Sequence, residues 1–284
     1  MQKHILTIND ISCIGRCSLT VALPVISAAG ITAVPLPTAI LSTHTTGFTN
    51  YTFRDLTEDM PRIASHWQEI MDFGFDAIYT GYLGSREQVE IVTDIIRRFK
   101  KPDTIVITDP VMADNGSLYA GFADDFPKEM ARLCEHADVI TPNITEALLM
   151  LGIPYQPAPY TRDFIEEILT KLQNKKTVLT GVHFSDSEYG AAVCAGGEIY
   201  YSLRECIPGV YNGTGDLFAS VLSAALVSGC TLHGACDAAV TYTTESIKRT
   251  CKSGRDLKFG TSFEPGLHML RKLIDSADAG NRQV

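Results

Sequence analysis

The chain of 284 residues contains no run of about 18 uninterrupted apolar residues, so no segment is written as a bilayer-spanning helix. It also lacks a long basic run. Lys and Arg number 24 against 33 Asp and Glu, a formal charge of −9. That balance argues against nucleic acid or an anionic membrane surface as the main partner. It does not exclude a phosphate ligand, because main-chain N–H groups can bind one within an acidic protein. The opening residues run into a strand-like segment without a signal-peptide h-region and cleavage site. The eight cysteines include no CxxC pair, and Cys13 and Cys17 have no second pair at zinc-like spacing to accompany them. A cytoplasmic protein with free, mostly buried thiols is the simplest account. No Gly-x-Gly-x-x-Gly follows the first strand-like segment, which sets aside a nicotinamide-dependent enzyme. No linker, internal repeat or low-complexity tract divides the chain, so one domain over residues 1–284 is expected.

What is present is alternation. Hydrophobic residues are 45% of the total, enough for a full core. Strand patterns at 4–8, 31–36, 77–80, 104–108, 139–141 and 177–180 alternate with helical patterns at 18–29 (with Pro24 inside), 58–73, 86–99, 124–136, 144–151 and 162–173. Strands at 190–194 and 198–203 flank Ala195-Gly196-Gly197, a hairpin signal. Helical patterns at 217–227, 232–250 and 264–276 complete the chain. The stretch from Ser42 to Phe53 fits neither template and reads as a loop with short β-structure, an edge or lid over about 42–56. Such alternation predicts a mostly parallel sheet covered on both faces. Ligands of such sheets gather beyond the carboxyl ends of the strands.

The most informative stretch is Tyr211-Asn212-Gly213-Thr214-Gly215-Asp216, followed by apolar and small residues. It reads as a glycine loop opening a helix. The first N–H groups of a helix lack intrahelical partners and carry the positive end of the macrodipole. Glycines let a ligand approach them closely. Asp216 then stands as a carboxylate at the edge of an anion site. A phosphoryl group in transfer needs the first feature, and an alcohol losing its proton needs the second. The plainer reading is an Asp that merely favours a first helical turn.

Two further segments end strands on the same rim. In Thr141-Pro142-Asn143-Ile144-Thr145-Glu146, Asn143 and Glu146 are three apart and share a helix face. They read as a capping box, as a site for Mg²⁺ with Glu146 holding a water of its shell, or as both. In Thr108-Asp109-Pro110-Val111-Met112, Asp109 either closes a turn or supplies a second carboxylate for the ion. Thr180 also falls at a strand end.

Taken in order, these segments resemble the ribokinase superfamily, and within it the pyridoxal and pyridoxamine kinases. The resemblance rests on Asn143-x-x-Glu146, Gly213-Thr214-Gly215-Asp216, Asp109-Pro110-Val111-Met112, Gly81-Tyr82-Leu83-Gly84-Ser85, Ser42-Thr43-His44-Thr45 and the opening Asn9-Asp10-Ile11-Ser12-Cys13-Ile14-Gly15-Arg16-Cys17-Ser18. It implies a three-layer α/β/α sandwich and ATP-dependent phosphorylation of the 5′-hydroxymethyl group of a B6 vitamer. Asp216 would be the general base, with the N–H groups of Asn212, Gly213, Thr214 and Gly215 on the transferred phosphoryl. Asp109, Asn143 and Glu146 would serve Mg²⁺ and the nucleotide, with Thr180 beside its phosphates. The vitamer ring would lie near Asp10, Ser12, His44, Thr45 and Tyr82. The resemblance also suggests a homodimer and leaves open a monovalent cation such as K⁺.

Departures from the pattern are equally specific. Many pyridoxal kinases carry Lys just after the strand ending at Thr180, where this chain reads Thr180-Gly181-Val182-His183. Ala113 stands where some relatives of dual specificity have Cys, and Asp10 where many have Ser. A hydroxymethylpyrimidine kinase of the same fold is the nearest rival. Those enzymes usually carry Gly-Gly-Ala-Gly near the first strand, and here the place reads Gly15-Arg16-Cys17-Ser18. The lid signatures of a sugar kinase are not evident in this chain, and a non-catalytic vitamer carrier would not need Asp216, Glu146 and both glycines.

Overall fold

The structure, a computed structural model, describes residues 2–172 and 176–279. In chain order the elements are β1 (His4–Ile14), α1 (Leu19–Ala28), β2 (Thr32–Thr43), β3 (Phe53–Asp55), α2 (Asp59–Ile70), β4 (Ala77–Thr80), α3 (Arg86–Phe99) and β5 (Ile105–Thr108). They continue with β6 (Ala113–Asp114), β7 (Ser117–Leu118), α4 (Phe126–Cys134), β8 (Val139–Ile140), α5 (Ile144–Leu151), α6 (Arg162–Lys171) and β9 (Lys176–Val182). Last come β10 (Glu188–Ala195), β11 (Glu198–Glu205), α7 (Thr214–Ser228), α8 (Leu232–Ser253) and α9 (Leu267–Ala279).

Nine strands form one sheet in the order β11-β10-β9-β8-β5-β4-β1-β2-β3. The six strands from β9 to β2 pair in parallel, while β10, β11 and β3 are antiparallel additions at the edges. The central strands β4, β5 and β8 are short, and β4 is buried at every position, as expected where helices cover both faces. One core packs α1, α7, α8 and α9 on one face; two others pack α2 to α4 and α5 with α6 on the opposite face. This is the expected three-layer arrangement. Helix α7 buries ten of its 15 residues, and its small side chains let it lie close against the sheet.

The boundaries of β4, α3 and α5 coincide with the expected ones. The helix expected over 162–173 ends at Lys171, and Gln173 lies outside the described residues. The helix expected from 264 begins as a 3₁₀ turn, Glu264–Gly266, before α9. Pro24 lies within α1 without ending it. Between β10 and β11, Gly196 and Gly197 have φ of 62° and 88°, the two positive values that a type I′ hairpin turn requires.

The largest difference lies at β1 and β2, which run well past the expected 4–8 and 31–36. Strand β4 leaves β1 after Ile8, yet β1 and β2 stay paired as far as Ile14 and Thr43. With β3 alongside β2 they make a small β-extension at the carboxyl rim. The lid expected over 42–56 is therefore a loop hung on this extension, with β3 as its returning strand. A second hairpin, β6 with β7, was not expected; it turns at Asn115 and Gly116, with φ of 49° and 79°.

Among the described residues the eight cysteines form no disulfide, and five of them are buried. Among the described residues no helix is long and apolar enough to cross a membrane.

Candidate active site

Helix α7 begins one residue after Gly213, whose φ is +74°. A Cβ at Gly213 would stand 1.7 Å from the carbonyl oxygen of Arg16, so the loop and the Arg16 turn meet main chain to main chain. Gly215 is the opposite case: a Cβ there would meet nothing within 4 Å. One glycine is required by packing, and the other leaves the helix mouth clear. The Thr214 hydroxyl donates to the Tyr211 carbonyl at 3.1 Å and braces the loop, and Asn212 is half-buried beside it.

Asp216 follows on the first turn, half-buried. Its Oδ1 accepts from Asn9 Nδ2 at 3.3 Å, and its carboxylate also accepts the Ser18 main-chain N–H. Burial, helped by Asp10, lifts its pKa to about 6, against the pull of those two donors. Ser18 itself has φ of 54° and stands at the start of α1.

Two more carboxylates lie beyond the ends of β5 and β8. Asp109 is buried and accepts from Thr141 Oγ1 at 3.0 Å. Burial, then the charge of Asp216, raises it to about 7. Glu146 is buried as well and is pushed well above the usual carboxylate range by burial and then by Asp109. Its Oε1 accepts the Met112 N–H at 3.1 Å and its Oε2 the Asn143 N–H at 2.9 Å. Asn143 Oδ1 accepts the Glu146 N–H at 2.9 Å, which completes a capping box, while its Nδ2 donates to the Ala113 carbonyl at 2.8 Å. Both polar atoms of Asn143 are thus committed to holding Glu146 and the β6 strand. None of the groups acting on Asp109 or Glu146 is a cation. Among the described residues no group of three or more His, Cys, Asp and Glu side chains is arranged to hold a metal ion by itself. Two adjacent buried carboxylates without a cationic partner, oxygen donors only, suit a hard divalent ion that completes its shell with water and phosphate. Thr180 lies against this side: its N–H donates to the Pro142 carbonyl at 2.9 Å, and it bridges to Asn143.

On the other side of Asp216 stands the β1–β2 extension. Asp10 and Ser12 are buried there, with Ser12 Oγ donating to Asp10 Oδ2 at 3.0 Å. Burial raises the Asp10 pKa, while hydroxyls of Ser18 and Ser12 and the nearby His44 oppose the rise. His44 is buried, and its Nε2 lies 2.6 Å from the Lys258 carbonyl, so that nitrogen carries the proton. Gly15 makes room for the ring, since a Cβ there would lie 2.4 Å from His44 Cδ2. Thr45 is exposed at the start of the loop. Tyr82 is half-buried beside Phe122, at 5.7 Å between ring centroids. Its phenol is pushed up to about 12, by burial first and then by Asp10, Tyr51 and Asp55.

The expected residues thus fall into two groups on one rim, with Asp216 between them. A cavity of about 660 Å³ bounded by Lys100, Asp138, Lys176 and Leu232 lies at the opposite, amino-terminal rim and contains none of them. One residue had no expected role: Asn9, wholly buried, touches Asp216, Asp10 and the Tyr82 turn. The signal available for it was a lone amide at the end of an apolar strand, directly before Asp10.

Comparison with known proteins agrees with this fold. Residues 21–260 match the family described as phosphomethylpyrimidine kinase. The chain belongs to that family. Among solved structures, pyridoxal kinase from Lactobacillus plantarum is 32% identical with a TM-score of 0.89, over 97% of this chain and 99% of that one. A Bacteroides thetaiotaomicron protein assigned to the phosphomethylpyrimidine kinases, crystallised with pyridoxal, is 38% identical with a TM-score of 0.89, over 95% of this chain and 96% of that one. Pyridoxal kinase from Leishmania donovani, in complex with ADP and pyridoxamine, is 22% identical with a TM-score of 0.84, over 95% and 96% of the two chains, and shares the fold. The pyridoxal kinases singled out by the motifs are therefore structural relatives, and the glycine loop and Asp216 of this chain lie within the matched span.

Proposed function

We propose that this family member transfers the γ-phosphoryl group of ATP to the 5′-hydroxymethyl group of a B6 vitamer. The observation that carries the reading is Asp216: a half-buried carboxylate on the first turn of α7, beside a glycine that faces open space. With a pKa of about 6 it is mostly ionised at neutral pH and suited to take a proton from the acceptor alcohol. The alcohol oxygen then attacks phosphorus, and the bond from phosphorus to the leaving ADP oxygen breaks. The N–H groups of Asn212, Gly213, Thr214 and Gly215 would stabilise charge gathering on the transferred group. Asp109 and Glu146 would hold Mg²⁺, with Asn143 keeping Glu146 in place. The ion when bound neutralises phosphate charge, much of what phosphoryl transfer asks of a protein. Thr180 would offer a hydroxyl to the phosphates where many relatives have Lys. Asp10, Ser12, His44 and Tyr82 would line the vitamer side, with Thr45 on the loop above it. One catalytic domain, acting as a homodimer in the cytoplasm, belongs to the same proposal.

The family description, phosphomethylpyrimidine kinase, supports a pyrimidine acceptor as the one rival, and hydroxymethylpyrimidine is the form with the matching free hydroxymethyl group. A single panel separates the two: purified protein, ATP and Mg²⁺ with pyridoxal, pyridoxamine, pyridoxine or hydroxymethylpyrimidine, followed by ADP release. Turnover of a B6 vitamer at the highest kcat/KM is expected. Preference for the pyrimidine would replace the substrate, and binding without turnover of any acceptor would replace the enzyme by a carrier.

A further inference from the structure

Asn9 is wholly buried one residue after β1 parts from β4. Its Oδ1 accepts two main-chain N–H groups, from Asp10 at 3.0 Å and from Tyr82 at 2.9 Å. Two donors converging on one oxygen fix the amide's orientation, since a flipped amide would turn its NH₂ group against both. The remaining atom, Nδ2, is thereby held 3.3 Å from Asp216 Oδ1. Gly81 seals the arrangement, because a Cβ there would stand 2.3 Å from Asn9 Nδ2. The pairing of β1 with β2 slips by one residue between Asn9 and Ile11, the kind of irregularity that re-aims side chains beside a site.

We propose that Asn9 is a positioning residue of the transfer reaction: its locked amide orients the Asp216 carboxylate and ties it to the Asp10 and Tyr82 main chain on the acceptor side. The inference rests on reading Asp216 as the base. The titratable groups bearing on Asp216 from the elements around it are Asp10, Cys17, Tyr79, Asp109 and Tyr119, none of them a cation. Donors such as the Asn9 amide and the Ser18 N–H therefore carry the task of holding the base ionised.

The test is Asn9→Asp, which keeps an acceptor for both main-chain donors but replaces the NH₂ donor with a second anion. Expected are a KM for the vitamer within about twofold of the parent, a kcat at pH 7 reduced at least ~10-fold, and an acid limb of the kcat–pH profile moved upward by about one unit or more. Asn9→Ala removes the donor without adding charge, so its limb should move the same way by less, with KM also raised because the Tyr82 turn loosens. If Asn9→Asp does not fold, Asn9→Ala decides on the same profile. Profiles that overlay the parent's, with only the melting temperature lowered, would overturn the proposal and leave Asn9 a packing residue. Asp216→Asn is run in parallel: if it turns over at the parental rate, the base assignment fails on its own terms, whatever the Asn9 variants do.

Discussion

The two sides of the rim are built differently. On the β5–α5 side, Asn143 and Glu146 hold each other through a capping box three residues long, and the Met112 N–H and Ala113 carbonyl, 34 and 30 residues away in sequence, complete the hold. On the β1 side, Asp10 is held by the hydroxyls of Ser12 and Ser18 within the same turn of chain, while His44 is held by the Lys258 carbonyl, 214 residues away, in the space left by Gly15. The first side is a pair of buried carboxylates that wants a cation. The second is a β-extension under a partly exposed loop that can adapt to a ring. On the proposed reading, phosphoryl chemistry sits where a short capping box fixes a carboxylate, and acceptor choice sits where the β-extension meets the distant Lys258 turn. Asp216 joins the two, so its loss should erase the difference between them.

Asp216→Asn should therefore give the largest effect, with kcat reduced roughly 10²–10⁴-fold, the scale of a removed general base, while both substrates still bind and the melting curve is kept. In the parent, kcat should fall as pH drops below about 6, where Asp216 takes up a proton. A variant that lost binding of both substrates along with rate would show that Asp216 holds the rim together rather than acting on it.

The two glycines sharpen the comparison by separating stability from rate. Gly213→Ala drives a methyl to 1.7 Å from the Arg16 carbonyl at a positive φ, a backbone conflict expected to cost several kcal/mol. Soluble yield and melting temperature should both collapse. Gly215→Ala meets nothing within 4 Å and replaces glycine in a helical turn, worth up to ~1 kcal/mol in favour of folding. Its melting temperature should hold or rise while kcat falls at least ~10-fold, because the methyl stands where the phosphoryl group must come. Equal rates for Gly215→Ala and the parent would remove the α7 mouth from the mechanism.

Legibility in the sequence follows the same division. The Asn143–Glu146 box and the Gly213–Asp216 loop were readable because each is complete within a few residues, and α3 and β4 because periodicity and burial agree along their length. The true lengths of β1 and β2 were not readable. Past Ile8 the residues Asn9, Asp10 and Ser12 look like a loop, and only pairing with β2 some 29 residues on keeps them in a strand. The joint between His44 and Lys258 spans 214 residues and leaves no local trace. The role of Asn9 is of this kind too, since it needs Gly81 and Asp216 beside it. The β6–β7 hairpin is the converse: Asn115-Gly116 is a strong turn signal, hidden inside a segment read for its chemistry.

A smaller effect is expected from neutralising the carboxylate pair without metal. The pKa of Asp109 is raised from 3.8 to about 7 in the folded chain. Its contribution to stability is thus fully present below the unfolded value and is lost as pH rises through about 7. In EDTA, Asp109→Asn should melt above the parent at pH 8 by a few degrees, at roughly 2–4 °C per kcal/mol for a chain near this size. The gap should narrow at pH 5. Adding Mg²⁺ with ATP should reverse the order, because only the parent retains both carboxylates for the ion. A gap independent of pH would mean that Asp109 is not held against its own charge.

The smallest effect belongs to the acceptor side. Tyr82→Phe removes a phenol that burial and Asp10 keep protonated up to about 12, so at neutral pH its part on the proposed acceptor side is that of a neutral hydrogen-bonding group. The loss of one such bond is worth about 0.5–1.5 kcal/mol, hence a KM for the vitamer raised about 2- to 10-fold with kcat nearly unchanged and no shift in the acid limb. The Tyr82 main chain still donates to Asn9 in this variant, so the base stays oriented. That is the contrast with Asn9→Asp, which should move kcat and its pH profile and leave KM alone. If Tyr82→Phe instead lowers kcat and spares KM, the phenol acts on the reacting oxygen, and the division between a chemical side and a recognition side of the rim gives way.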